Sequence, residues 1–127
     1  MPRRGRGWGV GRGRDEIKRY SPINTSLLEP ALLILIKIQP SHGYSLLTDL
    51  EEFSIDTVHP SVVYRTLRKM ENLDWIQSDW EADRSQGPPR RTYSLTEKGA
   101  EALEYWKKEL GNVNKTIRQM LEKSMES

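Results

Sequence analysis

The chain has 127 residues, a formal net charge of +2 and no cysteine. This length suits one small domain with a helical extension or a tail, and the lack of cysteine excludes disulfides, zinc–thiolate sites and cysteine nucleophiles. No apolar run is long enough to span a bilayer, and the basic N-terminus lacks the apolar segment of a secretory signal. A cytoplasmic protein is therefore expected.

The positive charge is concentrated at the N-terminus, because residues 1–19 carry a net charge of +5 and the remainder carries −3. Residues 1–20 are predicted to form a disordered basic arm, since a Gly/Arg-rich sequence has much backbone entropy and little to bury. Such an arm could follow a DNA minor groove, bind RNA without sequence preference, or serve as a solvated tail. The sequence leaves these alternatives open.

Residues 21–95 contain the patterns of a folded domain, which begins with two helices. The first is predicted to start near Thr25 and to end at Gln39-Pro40, and its centre is apolar nearly all round. A helix of this kind is buried on several sides, so we expect it to contact a second subunit, through Leu32, as well as its own domain. The second helix should run from residues 41–43 to about Phe53, with Tyr44 among its apolar positions.

The third helix is predicted from Pro60 or Ser61 to near Asn72, with two different faces. Val63, Leu67 and Met70 follow the spacing of one buried stripe. Another face is basic and rich in hydrogen-bonding groups, and it consists of Ser61, Tyr64, Arg65, Arg68 and Lys69.

A strand pair and a long helix complete the predicted order. Residues 75–80 and 91–95 alternate as strands do, and a loop over 82–90 with a Gly-Pro-Pro turn joins them; Arg90 and Arg91 follow the turn. Thr96 can cap a helix that runs from Glu97 to near Lys123. Three helices, a hairpin and a further helix indicate a winged helix-turn-helix, a mostly α fold with a small β-hairpin.

The last segment, 96–127, carries apolar residues in steps of three and four, which is the pattern of a heptad seam. Either the stripe packs on its own domain or it forms a dimerisation helix. We favour dimerisation, because the seam extends past what one small domain can cover. With the first helix, the predicted dimer interface comprises Leu32, Leu103, Trp106, Leu110, Val113, Ile117 and Met120.

Four segments together resemble the PadR family of transcriptional regulators, in the short form with a single C-terminal dimerisation helix. They are LEPALLILI at 28–36, HGYSLL at 42–47, PSVVYRTLRKMENLDWI at 60–76 and GPPRRTYSLTEKG at 87–99. One departure is Asp74, where the family commonly has glycine. The resemblance implies a homodimeric DNA-binding regulator, most often a repressor, that binds a palindromic operator. Some relatives release DNA on binding small aromatic or drug-like ligands.

Groove geometry then suggests roles for the basic residues, since a helix fits the major groove and its N-terminal half reaches base edges. Ser61 and Arg65 are assigned to base edges or phosphates, and Arg68 and Lys69 to phosphates. The remaining candidates flank these four. Tyr64 matches the family's recognition-helix tyrosine and would reach a phosphate or belong partly to the core, His59 would touch phosphate, and Arg90 and Arg91 would meet the backbone or the minor groove beside the wing.

Other functions have weaker support in the sequence. The two histidines, His42 and His59, lack a cluster of further ligands, so no metal site and no cofactor are expected. Trp75, Trp80 and Trp106 are expected to be core or interface anchors, although an aromatic effector could stack on Trp106 in a dimer pore. The alternative function is a nonspecific nucleic-acid-binding or protein-interaction module. No catalytic triad, phosphate-binding loop or carboxylate pair indicates an enzyme.

Overall fold

The computed structural model describes residues 22–55, 58–81 and 90–126. The predicted N-terminal arm and the Gly-Pro-Pro turn lie outside these ranges. The described elements follow the predicted order, which confirms a mostly helical fold with a small antiparallel sheet. They are α1 (Pro22–Ser26), α2 (Leu28–Ile38), β1 (Ser41–His42), α3 (Gly43–Asp49) continued by a 3-10 turn (Leu50–Phe53), α4 (Pro60–Asn72), β2 (Ile76–Glu81), β3 (Arg90–Leu95) and α5 (Glu97–Ser124).

The apolar helix α2 lies in the centre of the domain. The predicted start near Thr25 is wrong, because Thr25 lies inside the short α1 and a turn at Leu27 separates it from α2. Pro30 occupies the first turn of α2, where an N–H would have no helical acceptor. The helix packs against α3, α4, β3 and α5. Its central side chains are therefore covered by the chain's own elements, and Leu32 is 0% exposed.

Helix α3 is shorter than predicted, and its buried face differs from the expected one. It ends at Asp49, and the 3-10 turn that follows stops at Ser54, which has a left-handed φ of 60°. Leu46 and Leu50 are buried in the core. Tyr44 precedes Leu46 by two residues, so its side chain points about 200° away from that of Leu46 around the helix axis. Tyr44 is therefore 72% exposed rather than buried.

The sheet has three antiparallel strands in the order β1-β3-β2. The hairpin of β2 and β3 was predicted, and its pairing runs from Ile76↔Leu95 to Glu81↔Arg90. The two-residue strand β1 was missed, because two residues are too few to show an alternating pattern. Its pairing of His42 with Thr92 places the start of α3 directly beside the returning strand of the hairpin.

A compact junction fastens the base of the hairpin to the start of α5. Asp74 adopts a left-handed φ of 65°, a conformation that residues with a side chain rarely adopt. Thr96 Oγ1 donates a hydrogen bond to the Asp74 carbonyl at 2.6 Å and accepts one from the Gly99 N–H at 3.0 Å. The Thr96 N–H donates to the Trp75 carbonyl at 3.0 Å. Thr96 therefore caps α5, as predicted, and also closes the turn after α4.

The two halves of α5 have different surroundings. In the first half Leu103 is buried and Trp106 packs against the core, whereas every described side chain from Gly111 onward is exposed. Lys107 donates a hydrogen bond to Glu104 at 3.0 Å, and this contact lowers the pKa of that carboxyl. None of the helices in the described ranges has the length and hydropathy that a bilayer span requires.

Replacing Gly99 with alanine should destabilise the protein by about 1–3 kcal/mol or more. A Cβ at Gly99 would stand 1.9 Å from the Trp75 carbonyl oxygen, and this clash outweighs alanine's better helix propensity. Gly111→Ala is the matched control on the same helix, because nothing lies within 4 Å of its added Cβ, and it should stabilise by about 1 kcal/mol. Urea unfolding measures both changes. A Gly99→Ala protein as stable as the Gly111→Ala protein would contradict the proposed clash.

Candidate nucleic-acid interface

Helix α4 presents its polar face to solvent, opposite its buried stripe. Val63, Leu67 and Met70 are all buried, as the spacing predicted. The exposed face of the helix carries Ser61, Arg65 and Arg68, which are spaced at i, i+4 and i+7 and therefore lie on one side. The helix can therefore place a hydroxyl and two guanidinium groups against an external surface without disturbing the core.

His59 has a structural role that its position in the sequence did not indicate. It is the N-cap of α4, and its Nδ1 accepts a hydrogen bond from the Ser61 N–H at 3.1 Å. The Ser61 hydroxyl lies 2.9 Å from the same nitrogen. Because Pro60 occupies the first turn and has no N–H to satisfy, this cap supplies a partner for the next donor. His59 thus fixes both the start of α4 and the position of Ser61.

Tyr64 stands on the flank of α4 that faces α3, at 38% exposure. A Cβ at Gly43 would come 2.8 Å from Tyr64 Cε1. The glycine of the HGY segment therefore leaves the space that the tyrosine ring occupies. This arrangement agrees with both predicted alternatives for Tyr64, since the ring is partly packed while the side chain remains accessible.

Lys69 lies on the opposite flank and already has a partner. Its Nζ is 2.5 Å from Glu29 Oε2 at the start of α2. A cation held by a carboxylate of its own chain is less available to an external phosphate than one that faces solvent alone. We therefore expect Lys69 to contribute less to a phosphate contact than Arg68, although the sequence suggested equal roles.

The wing, defined here as the strands β2 and β3, carries a stacked cation. Arg91 Cζ lies 5.2 Å from the centre of the Trp80 ring, and the two residues are paired across the strands. Trp80 is 64% exposed, so it does not belong to the core of this chain, and its role as an interface anchor stays a prediction. Glu71 of α4 faces both strands, because it accepts a hydrogen bond from Ser78 Oγ at 2.6 Å and lies 3.9 Å from Arg91.

A cleft of about 460 Å³ separates α4 from the wing. It brings together residues that the sequence analysis assigned to the interface and others that it missed. Tyr44, Trp80 and Glu71 were missed, since the two aromatic residues were expected to be packed and no sequence pattern linked Glu71 to the wing. The cleft is lined by four aromatic residues, Tyr44, Tyr64, Trp80 and Tyr93, by four charged residues, Arg68, Glu71, Arg90 and Arg91, and by His42 and Gly43.

The predicted dimer-interface residues divide into two groups. Leu32 and Leu103 are 0% and 1% exposed within a single chain, so they belong to the core and are removed from the predicted interface. Trp106 and Leu110 are half-buried. The distal residues remain exposed, and they are Val113, Ile117 and Met120.

Arg68 faces solvent whereas Lys69 is paired with Glu29, so we expect different effects when each is replaced. If Arg68 meets a DNA phosphate, Arg68→Gln should reduce the salt dependence of duplex binding, with the log–log slope falling by about 0.9 per chain. Lys69→Gln should leave that slope nearly unchanged and alter stability by less than about 1 kcal/mol, because the Lys69 side chain is 61% exposed and its ion pair with Glu29 is screened by water. Binding titrations across a salt series compare the two. Equal changes in slope would contradict the distinction.

Comparisons with known proteins agree with this architecture. Residues 32–105 match the Transcriptional regulator PadR-like family. A PadR-like transcriptional regulator from Bacillus cereus is 32% identical over 76% of this chain and 92% of its own, with a TM-score of 0.67. A PadR family regulator from Clostridium difficile R20291 is 25% identical over 75% and 98%, also at 0.67.

A third regulator, from Eggerthella lenta, shares the fold at a TM-score of 0.72, with 18% identity over 89% of this chain and 97% of its own. The search of curated proteins finds no match. The family match covers more than half of the chain, and the helix order, wing and terminal helix agree with it. The chain therefore belongs to the PadR-like family of transcriptional regulators, and it is a DNA-binding regulator and not an enzyme.

Proposed function

We propose that this chain is a cytoplasmic repressor that binds a palindromic operator as a homodimer. The observation that carries the proposal is the exposed face of α4, where Ser61, Arg65 and Arg68 lie together beside an arginine-bearing wing. An α-helix fits the DNA major groove, and the residues that face outward from its N-terminal half reach base edges. The wing then lies over the adjacent backbone or minor groove.

Different residues supply sequence selection and affinity in this proposal. Arg65 and Ser61 are near the start of α4 and are proposed to contact base edges, whereas Arg68, one turn later, is proposed to contact a phosphate. Arg90 and Arg91 add two cations on the wing. Phosphate contacts position the protein and make binding salt-dependent, while base contacts select the sequence.

The proposed homodimer follows from the distal half of α5. A helical segment as short as this half is only marginally stable alone in water. It also displays exposed apolar side chains, which are Val113, Ile117, Met120 and Leu121. An apolar groove of about 190 Å³ also opens on the domain surface beside Leu110. The groove is lined by Leu27, Pro30, Ala31, Ile34, Phe53, Ile55 and Leu110. A second copy of α5 has the matching apolar stripe, so pairing would bury both surfaces.

Release by a small aromatic ligand is a further part of the proposal. Trp106, Trp75 and Tyr105 line a surface cavity of about 480 Å³ on the first half of α5. Its volume lies in the range of small-molecule sites. A flat aromatic ligand bound there would contact α5, the helix through which the two chains are proposed to pair. It could thereby change the separation of the two α4 helices in the dimer.

Selection from a random duplex pool tests the proposed function directly. The purified protein is used at two salt concentrations, with and without residues 1–19. We expect an enriched palindrome that survives removal of the arm, because the specific contacts come from α4. Binding that is uniform across sequences, disappears with salt and needs the arm would instead support a nonspecific nucleic-acid-binding module.

Arg65→Ala should weaken operator binding by about 1–3 kcal/mol and relax specificity at one position, if the guanidinium makes a bidentate base contact. Arg118→Ala, on the exposed distal part of α5, is the matched control and should leave operator affinity nearly unchanged. A fluorescence anisotropy titration measures both. Wild-type affinity in the Arg65→Ala protein would remove this residue from the interface.

Ile117→Asp should abolish dimers and tight operator binding together, since it places a charge on the exposed apolar stripe. Ile117 is exposed in the single chain, so the substitution should spare the folded domain. Gln119→Asp changes the charge by the same amount on the opposite side of the helix and should remain dimeric. Light scattering gives the mass of each variant. A dimeric Ile117→Asp protein would contradict the proposed interface.

A further inference from the structure

Glu71, in the last turn of α4, makes a contact with each strand of the wing. One carboxylate oxygen accepts the hydrogen bond from Ser78 Oγ on β2, at 2.6 Å. The other lies 3.9 Å from a guanidinium nitrogen of Arg91 on β3. The Glu71 side chain is 30% exposed, so its carboxylate is partly shielded from water. A single side chain therefore connects α4 to both strands of the hairpin.

Arg91 is oriented by two neighbours at once. One guanidinium nitrogen is 3.9 Å from the Glu71 carboxylate, and Arg91 Cζ is 5.2 Å from the centre of the Trp80 ring. An arginine side chain loses much conformational freedom when it binds a phosphate. Holding the guanidinium in place beforehand lowers that entropic cost. The contacts with Glu71 and Trp80 thus prepare Arg91 on the wall of the cleft between α4 and the wing.

The presence of a carboxylate in this cleft needs an explanation. Three arginines, Arg68, Arg90 and Arg91, line the same cleft, and they suit a polyanion. An acidic side chain among them repels phosphate and by itself lowers DNA affinity. Its presence is explained if it contributes to the alignment of the wing with α4, because α4 and the wing must contact neighbouring parts of one duplex at the same time.

We propose that Glu71 is a positioning residue for operator recognition, which holds the wing at a fixed angle to α4 and presents Arg91 to a backbone phosphate. This role rests on the proposed function. Glu71 makes no base contact itself, and it acts through Ser78 and Arg91. It increases the preference for the operator over other DNA at the expense of some nonspecific affinity.

The test compares operator affinity with nonspecific affinity for Glu71→Gln, using the duplex selected above and a scrambled duplex of equal length. The glutamine keeps the side-chain size and can still accept from Ser78, but it loses the charge that orients Arg91. We expect the ratio of the two affinities to fall by about tenfold, corresponding to about 1.4 kcal/mol, while nonspecific binding stays the same or rises. Glu52→Gln, an exposed carboxylate on the 3-10 turn, controls for net charge and should leave the ratio unchanged.

Ser78→Ala provides a second variant, which removes the hydrogen bond and keeps the charge. It should lower the same ratio, and its effect should not add fully to that of Glu71→Gln, because the two residues act through one contact. Hydroxyl-radical footprinting should show weaker protection under the wing of the Glu71→Gln protein and intact protection under α4.

Three results would overturn the role of Glu71. Equal increases in operator and nonspecific affinity would make it only a repelling charge, and equal decreases would make it only a fold-stabilising residue. Unchanged affinities for both duplexes, together with a normal wing footprint, would remove it from recognition. If the wild-type protein selects no sequence at all, the proposed function fails and the role of Glu71 fails with it, which distinguishes that result from the other three.

Discussion

The close contact between Gly99 and the Trp75 carbonyl is the constraint on which the arrangement of this domain depends. It lets α5 begin directly against the base of the hairpin, where Thr96 caps the helix and also closes the turn after α4. Three elements with different tasks meet there: the end of the helix proposed to read DNA, the base of the wing, and the start of the helix proposed to pair two chains.

Much of this architecture could be predicted from the sequence, because the spacing of apolar residues reflects which side chains are buried. The stripe of Val63, Leu67 and Met70 gave α4 its correct face, and Thr96 marked the start of α5. Tyr44 was misjudged because aromatic residues also occur at exposed binding surfaces, where spacing alone does not distinguish them from core residues. β1 was missed because pairing with β3, a partner distant in sequence, defines it.

The charged part of the interface was predictable in composition but not in geometry. Sequence identified the basic residues of α4, yet Lys69 turned out to face Glu29, forty positions earlier in the chain. No sequence pattern indicated the contacts of Glu71, since its partners Ser78 and Arg91 approach it only when the hairpin folds over the helix. Side-chain pairings between distant segments decide which cations remain available, and a helical pattern contains no information about them.

Gly111 marks the place where α5 leaves the domain. The apolar residues Leu103 and Trp106 before it pack on the core, whereas every described residue after it is exposed within the part of the chain that the structure describes. Glycine is also the weakest helix former apart from proline, so the helix is intrinsically weakest where its tertiary support ends. The distal half can thus open by local unfolding while the domain stays intact. Its amide protons would exchange with solvent like those of a free peptide until another molecule covers them, so their protection would report directly on assembly.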